Sequence, residues 1–267
     1  MLITFIGGGN MASALVSGLV NPHRSHLRIR VSDPNVGARE RLESTFGVET
    51  FSDSRAAAEG ADVVVLAIKP QNMPEVLERL HGLIRPGNLV LSIAAGTPIE
   101  MIERGLGGEP SVIRSMPNTP ALIGHGIAGV VAGRHCLPHH RGQAEEILCA
   151  AGDVVWLDDE GLMDAVTAIS GSGPAYFFLM TEALTAAGRQ LGLSAETAER
   201  LAMVTCFGAG AMVNSSGGEV AELRRRVTSP GGTTEAALAV FEAGRFQDLV
   251  LQAARAARDR GRELAGS

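Results

Sequence analysis

The chain has 267 residues, enough for one large domain or two ordinary ones with a substantial buried core. Its apolar fraction is 45%, yet no apolar run reaches the ~18 residues of a membrane-spanning helix; the net charge of −6 is spread without a block, which argues against a nucleic-acid groove. Cys136, Cys149 and Cys206 are odd in number and far apart, as in a reducing cytoplasm, and the first residues enter a strand with no room for a secretory leader.

From the N-terminus, short β-branched runs alternate with amphipathic stretches. Residues 2–6, 27–32, 62–68, 89–93, 112–114, 129–132 and 154–157 read as strands, and 11–20, 36–46 and 74–83 as helices. The run DVVVLAI at 62–68 is apolar on both faces, as in a parallel strand covered by helices on each side. Strands alternating with helices predict an α/β fold, a doubly wound sheet with right-handed crossovers.

The end of the first run, Gly7-Gly8-Gly9-Asn10-Met11-Ala12, fits G-x-G-x-x-A where a strand passes into a helix. Gly7 permits the tight turn, Gly9 lets a pyrophosphate approach the backbone, and Ala12 allows close helix–strand packing. The helix N-terminus adds amide donors and positive potential. A glycine-rich turn without ligand is the alternative. The second run ends in Ser32-Asp33-Pro34, where Asp33 is placed to accept bonds from both hydroxyls of an adenosine ribose, favouring NAD over NADP unless an arginine such as Arg39 swings in. Asp33 also reads as a plain turn starter before Pro34. Ala67-Ile68-Lys69-Pro70 and Ser92-Ile93-Ala94-Ala95-Gly96 end the next two runs, so both face the cofactor crevice beyond the strand ends. Lys69, the only lysine beside 22 arginines, reads either as a cation at the rim or as a solvated strand-end residue. Two prolines flank Asn118 and Thr119 and aim both at the same crevice, with a structural turn as the rival. His135-Cys136-Leu137-Pro138-His139-His140 is too compressed to close a tetrahedral metal site and reads as a solvated loop; no metal is expected.

After residue 160 the β signal stops. Residues 162–191 form one helical pattern interrupted by Ser170-Gly171-Ser172-Gly173-Pro174-Ala175-Tyr176, in which Pro174 either kinks the helix or marks its true start. Helical patterns follow at 195–213, 219–227, 234–242 and 248–264, and several are apolar on more than one face, which predicts oligomerisation. Between two of them stands RRRVTSPGGTTE, residues 224–235. The arginines complement a helix C-terminal dipole. Ser229 and Pro230 turn the chain, Gly231 and Gly232 leave amides unobstructed, and Thr233 and Thr234 start a helix. That arrangement suits a carboxylate or phosphate, and equally a capped turn.

Over essentially its whole length the sequence resembles the Δ1-pyrroline-5-carboxylate reductases, through FIGGGNMA, VVLAIKPQ, LSIAAGTP, RSMPNTPALI, AISGSGPAYFF and LRRRVTSPGGTTEAAL. The resemblance implies a Rossmann-type dinucleotide-binding domain over 1–159 and an all-helical dimerisation and substrate-binding domain over 160–267. Family dimers intertwine, and some members form decamers. It implies reduction of the cyclic imine of pyrroline-5-carboxylate to L-proline, the last step of proline biosynthesis, with NADPH or NADH. Carried over by motif, Ile6, Gly7, Gly8, Gly9, Asn10, Met11, Ala67, Ile68, Lys69, Pro70, Ala94, Ala95 and Gly96 bind the cofactor. The adenosine end falls to Asp33 and Ser54, where related sequences often carry serine or asparagine. The Ser229–Thr234 loop holds the substrate carboxylate through backbone amides, and the Thr234 hydroxyl faces the imine nitrogen. No strong base is needed: the cofactor does the hard step and the protein positions the reactants. Two other readings stand beside this one. One is a different imine or β-hydroxyacid reductase on the same two-domain plan, of which the acid dehydrogenases usually place a lysine on the long helix after the first domain, where this chain has none; the other is a dinucleotide-binding regulator without turnover.

Overall fold

The computed structural model describes residues 1–21, 24–217 and 219–265. The chain divides into two compact units: Met1–Gly171 together with the C-terminal stretch from Ala257, and Ser172–Ala256. In the first unit, among the described residues, eight strands form one sheet in the order β3-β2-β1-β4-β5-β6-β7-β8. They are β1 (Leu2–Ile6), β2 (Arg28–Ser32), β3 (Glu49–Phe51), β4 (Val63–Leu66), β5 (Leu89–Ser92), β6 (Ser111–Met116), β7 (Gly126–Ala132) and β8 (Gly152–Trp156). Neighbours run parallel except β6 and β7. The helices α1 (Asn10–Leu19), α2 (Val36–Phe46), α3 (Ser54–Ala58), α4 (Met73–Leu80), α5 (Ile99–Leu106), α6 (Pro138–Leu148) and α7 (Met163–Val166) lie between and after the strands.

The period-2 alternation of a strand sends its side chains to two separate cores. Val63 and Val65 of β4 pack with Leu15 and Val16 of α1, Leu42 of α2 and Ile147 of α6 on one face. Val64 and Leu66 pack with Met73 and Leu77 of α4 and Ile102 of α5 on the other. That double burial is why the 62–68 run is apolar without interruption.

Two features differ from the sequence reading, and a third decides between its alternatives. β3 is only three residues, too short to show a period, and pairs with the edge of β2. The His135–His140 stretch is not a solvated loop: Pro138 opens α6, and His140 is fully buried. The His140 Nδ1 accepts the Leu137 N–H at 3.0 Å, which leaves Nε2 to donate to the Gly87 carbonyl at 3.1 Å. Burial lowers its pKa below the ordinary histidine value. Finally, the SGSGP interruption is a π-helical turn, Thr167–Gly171, whose Thr167 and Ser170 hydroxyls donate back to the carbonyls of Met163 and Val166. Pro174 then sits in the first turn of the next helix, where a missing N–H costs nothing, so it marks a start and not a kink.

The second unit is helical: α8 (Gly173–Gln190), α9 (Ala195–Ser216), α10 (Val220–Arg226), α11 (Thr233–Ala243) and α12 (Phe246–Ala265), which continues past Ala257. α8 and α9 pack against each other, yet only small residues such as Ala198 and Ala202 are buried. Phe177, Phe178, Leu179, Val204 and Phe207 are exposed in the single chain, Phe207 at 74%. Large apolar side chains exposed in this number are what protein interfaces cover.

One buried ion pair ties the first unit together. Arg114 of β6 is 6% exposed and donates to Glu160 Oε1 at 2.7 Å; the same oxygen accepts the Ile99 N–H at the start of α5 at 2.9 Å. Glu160→Ala strips both donors of their acceptor. Urea unfolding should show a loss of roughly 2–4 kcal/mol, somewhat less than for a fully buried pair because Glu160 is partly solvated; a loss under ~0.5 kcal/mol would show that water replaces the carboxylate freely.

Candidate functional site

The sheet order makes one place special. The chain leaves β1 toward β2 and β3, then crosses back to lay β4 on the other side of β1. Loops at the carboxyl ends of β1 and β4 therefore diverge and open a crevice, the topological switch point of a doubly wound sheet. A cleft of about 650 Å³ lies there, lined by Ile6, Gly7 and Gly9 after β1, Asp33 after β2, Ser54 after β3, and Ala67, Ile68 and Lys69 after β4. Sequence reasoning had brought all eight of these to a cofactor.

The loop after β1 is built to stay open. Gly7 has φ +103°, donates its N–H to the Ser32 carbonyl at 2.7 Å, and lies so near the Ala67 carbonyl that a Cβ would collide with it. Gly9 is the opposite case: a Cβ there would meet nothing within 4 Å. Its φ of −71° and ψ of −177° suit any residue, so what glycine leaves free is space on the cleft side. Gly9 also caps α1 without a side-chain bond, leaving the first amides of that helix, including those of Asn10 and Met11, to a ligand.

Asp33 is already engaged. Its Oδ2 accepts the Gly8 N–H and its Oδ1 the Asn35 N–H, both at 2.8 Å, so the carboxylate braces the fingerprint loop while its remaining lone pairs face the cleft lining. Arg39 does not pair with that carboxylate; its Nη1 donates to the carbonyls of Asp33 and Pro34 at 2.7 and 3.1 Å. Ser54 is 9% exposed, and its hydroxyl is buried without a hydrogen-bond partner beside this cleft. A buried orphan hydroxyl, an uncapped helix N-terminus and an empty Cβ position together fit a bound dinucleotide.

The remaining first-unit candidates stand outside the lining. Gly8 is buried beneath the loop, and Pro70 begins the short turn Pro70–Asn72 that stiffens Lys69. Ala94, Ala95 and Gly96 follow β5, with the Ala94 N–H on the Ser92 hydroxyl at 3.3 Å. Asn118 serves the fold: its Oδ1 accepts the Ile127 N–H at 3.0 Å and its Nδ2 donates to the Ser170 carbonyl at 3.1 Å. Conversely, Asn35, Ser52, Asn72, Glu75, Val76 and Arg79 line the cleft and were not picked out. Arg79 bonds Glu75 at 2.7 Å, and the i, i+4 spacing of that pair on the polar face of α4 was the available signal.

In the second unit, α10 ends at Arg226 and α11 begins at Thr233. Gly231 takes φ +69°, and Gly232 is the N-cap, with no side-chain cap. The Gly232 N–H donates to the Ser229 carbonyl at 3.0 Å. A hydroxyl-capped turn is therefore not what forms. Among the described residues nothing partners the hydroxyls of Ser229, Thr233 or Thr234, and the first-turn amides of α11 point to no acceptor in the chain. Among the described residues no group of three metal-ligating side chains occurs.

Known proteins share both units. The family model described as pyrroline-5-carboxylate reductase dimerisation matches residues 160–264, and one described as NADP oxidoreductase coenzyme F420-dependent matches residues 2–96. A pyrroline-5-carboxylate reductase of Pseudomonas aeruginosa is 49% identical over 98% of this chain and 96% of its own. A solved structure of such a reductase from Coxiella burnetii has a TM-score of 0.94 at 42% identity, covering 98% of this chain and 97% of that one. A Plasmodium falciparum pyrroline carboxylate reductase solved with NADP bound has a TM-score of 0.84 at 29% identity, over 99% and 98% of the two chains. With a nucleotide cleft of this form and relatives this similar along nearly the whole length, the chain belongs to the pyrroline-5-carboxylate reductase family.

Proposed function

We propose that this chain reduces the cyclic imine of 1-pyrroline-5-carboxylate to L-proline, the last step of proline biosynthesis, with NADPH or NADH. The observation that carries the reading is the α11 N-terminus, where unpartnered amides and hydroxyls stand in a chain that also has a dinucleotide cleft. The bound dinucleotide supplies hydride. The chain's own residues bind and orient. Ile6 to Met11, Ala67 to Pro70 and Ala94 to Gly96 hold the cofactor, Asn118 contributes through its backbone because its side chain is spent on Ile127 and Ser170, and Asp33 and Ser54 take the adenosine ribose. The charge of Asp33 disfavours a 2′-phosphate, so NADH is used appreciably.

Ser229, Gly231, Gly232, Thr233 and Thr234 build the carboxylate clamp, the two glycines shaping the turn, with their own amides on Glu235 and Ser229, and the threonines offering free donors. Hydride delivered to the imine carbon would push the C=N π pair onto the nitrogen, which stays in the ring as the secondary amine of proline, its proton carried in by a protonated imine or taken up in the step. Thr234 has too high a pKa for a free general acid; its hydroxyl orients an imine that arrives protonated or relays a proton from water.

The functional division falls at 159/160, and the exposed apolar helices support at least a homodimer. Among the described residues no helix is long and apolar enough to cross a membrane. The cysteine usage and the dispersed charge support a cytoplasmic enzyme without nucleic-acid or membrane partners.

Purified protein given pyrroline-5-carboxylate should oxidise NADPH or NADH saturably, followed by absorbance. A folded sample that turns over neither nucleotide would defeat the reading. Thr234→Ala should lower kcat roughly ten- to a thousandfold, since a hydrogen bond made in the transition state is worth ~1.5–4 kcal/mol, while the Kd for L-proline changes less because the amides remain. Wild-type turnover in that variant would reduce Thr234 to a helix-start residue.

A further inference from the structure

The loop before α11 spends one of its amides on its own helix. Gly231 donates its N–H to Glu235 Oε2 at 2.7 Å, so a carboxylate from inside the chain already sits on the segment assigned to the substrate's carboxylate. With Gly232 turned to Ser229, the donors left for a ligand are those of Thr233, Thr234 and Glu235. Among the described residues Glu235 has no cationic partner: Arg225 and Arg226 are both taken by Glu222 at the end of α10. Its charge at that helix end is thus balanced only by backbone dipoles and solvent.

Glu235 therefore has two opposed effects. Its bond holds Gly231 in the left-handed conformation, which keeps the loop's amides where they are. Its charge repels any second carboxylate brought to the same helix turn. We propose that Glu235 is a specificity-determining residue that sets how tightly the loop holds a carboxylate, positioning the clamp through its hydrogen bond and weakening it through its charge. The proposal rests on the carboxylate-clamp reading above. Its value to a reductase follows from substrate and product sharing that carboxylate. Affinity gained there is uniform binding, which slows product release without speeding the chemical step.

Glu235→Gln separates the two effects, because its amide oxygen still accepts the Gly231 N–H while the charge is gone. The Kd for L-proline by calorimetry and the KM for pyrroline-5-carboxylate should both fall roughly three- to fivefold, the size expected for two unit charges ~6 Å apart in a solvated site. Glu235→Ala, which loses the bond as well, should bind L-proline more weakly than Glu235→Gln. Affinity in Glu235→Gln equal to or weaker than wild type overturns the proposal, as does equal affinity in the two variants. A wild type that binds no L-proline and turns over no imine instead overturns the clamp reading itself.

Discussion

Gly7 holds the end of β1 between two neighbours, with its N–H on the Ser32 carbonyl and its bare α-carbon against the Ala67 carbonyl. Both contacts are to backbone, so neither side can give way to a side chain. Because β2 and β4 flank β1, this one residue fixes three strand ends at once. The Gly8 N–H then reaches Asp33, and Gly9 starts α1 with its amides toward the cleft. The position of the anion-holding amides thus follows from a close approach that any Cβ would prevent.

The second unit is organised by a different constraint. Ala-rich helices such as α8 and α9 approach each other closely but bury few large side chains between them, and Phe177, Phe178 and Phe207 remain outside. Such a unit does not gain enough from its own packing, and burial by a second copy supplies the rest. The match of residues 160–264 to a dimerisation region agrees with that physical reading. The geometry of its Ser229–Glu235 loop is set locally. The turn Ser229–Gly232, the left-handed Gly231 and the Glu235 bond are all local.

What the sequence made readable was whatever repeats or punctuates. The 62–68 run, the G-x-G-x-x-A turn and the SPGG loop each show their geometry in residue type alone, and the structure has a strand, a tight turn and a helix start there. β3 was hidden because three residues carry no period. His140 was misread because its burial depends on Gly87, 53 residues away, whose carbonyl it bonds. Arg79 and Ser52 reach the cleft only through tertiary packing, in which α3 after β3 meets α4 after β4. The engagement of Asn118 with Ile127 and Ser170 is likewise a tertiary fact. Glu235 received no role from the sequence, because its reach back to Gly231 depends on the left-handed turn before it.

The central claim is that the space beside Gly9 belongs to the dinucleotide and not to the fold. Gly9→Val tests it most directly, because the added side chain meets no protein atom near its Cβ and the backbone there is extended. Titrating NADPH and NADH by fluorescence, alongside thermal melting, should give a variant within ~1 kcal/mol of wild-type stability whose nucleotide affinity has fallen at least a hundredfold. A variant that binds nucleotide as wild type does would place the dinucleotide elsewhere and contradict the account.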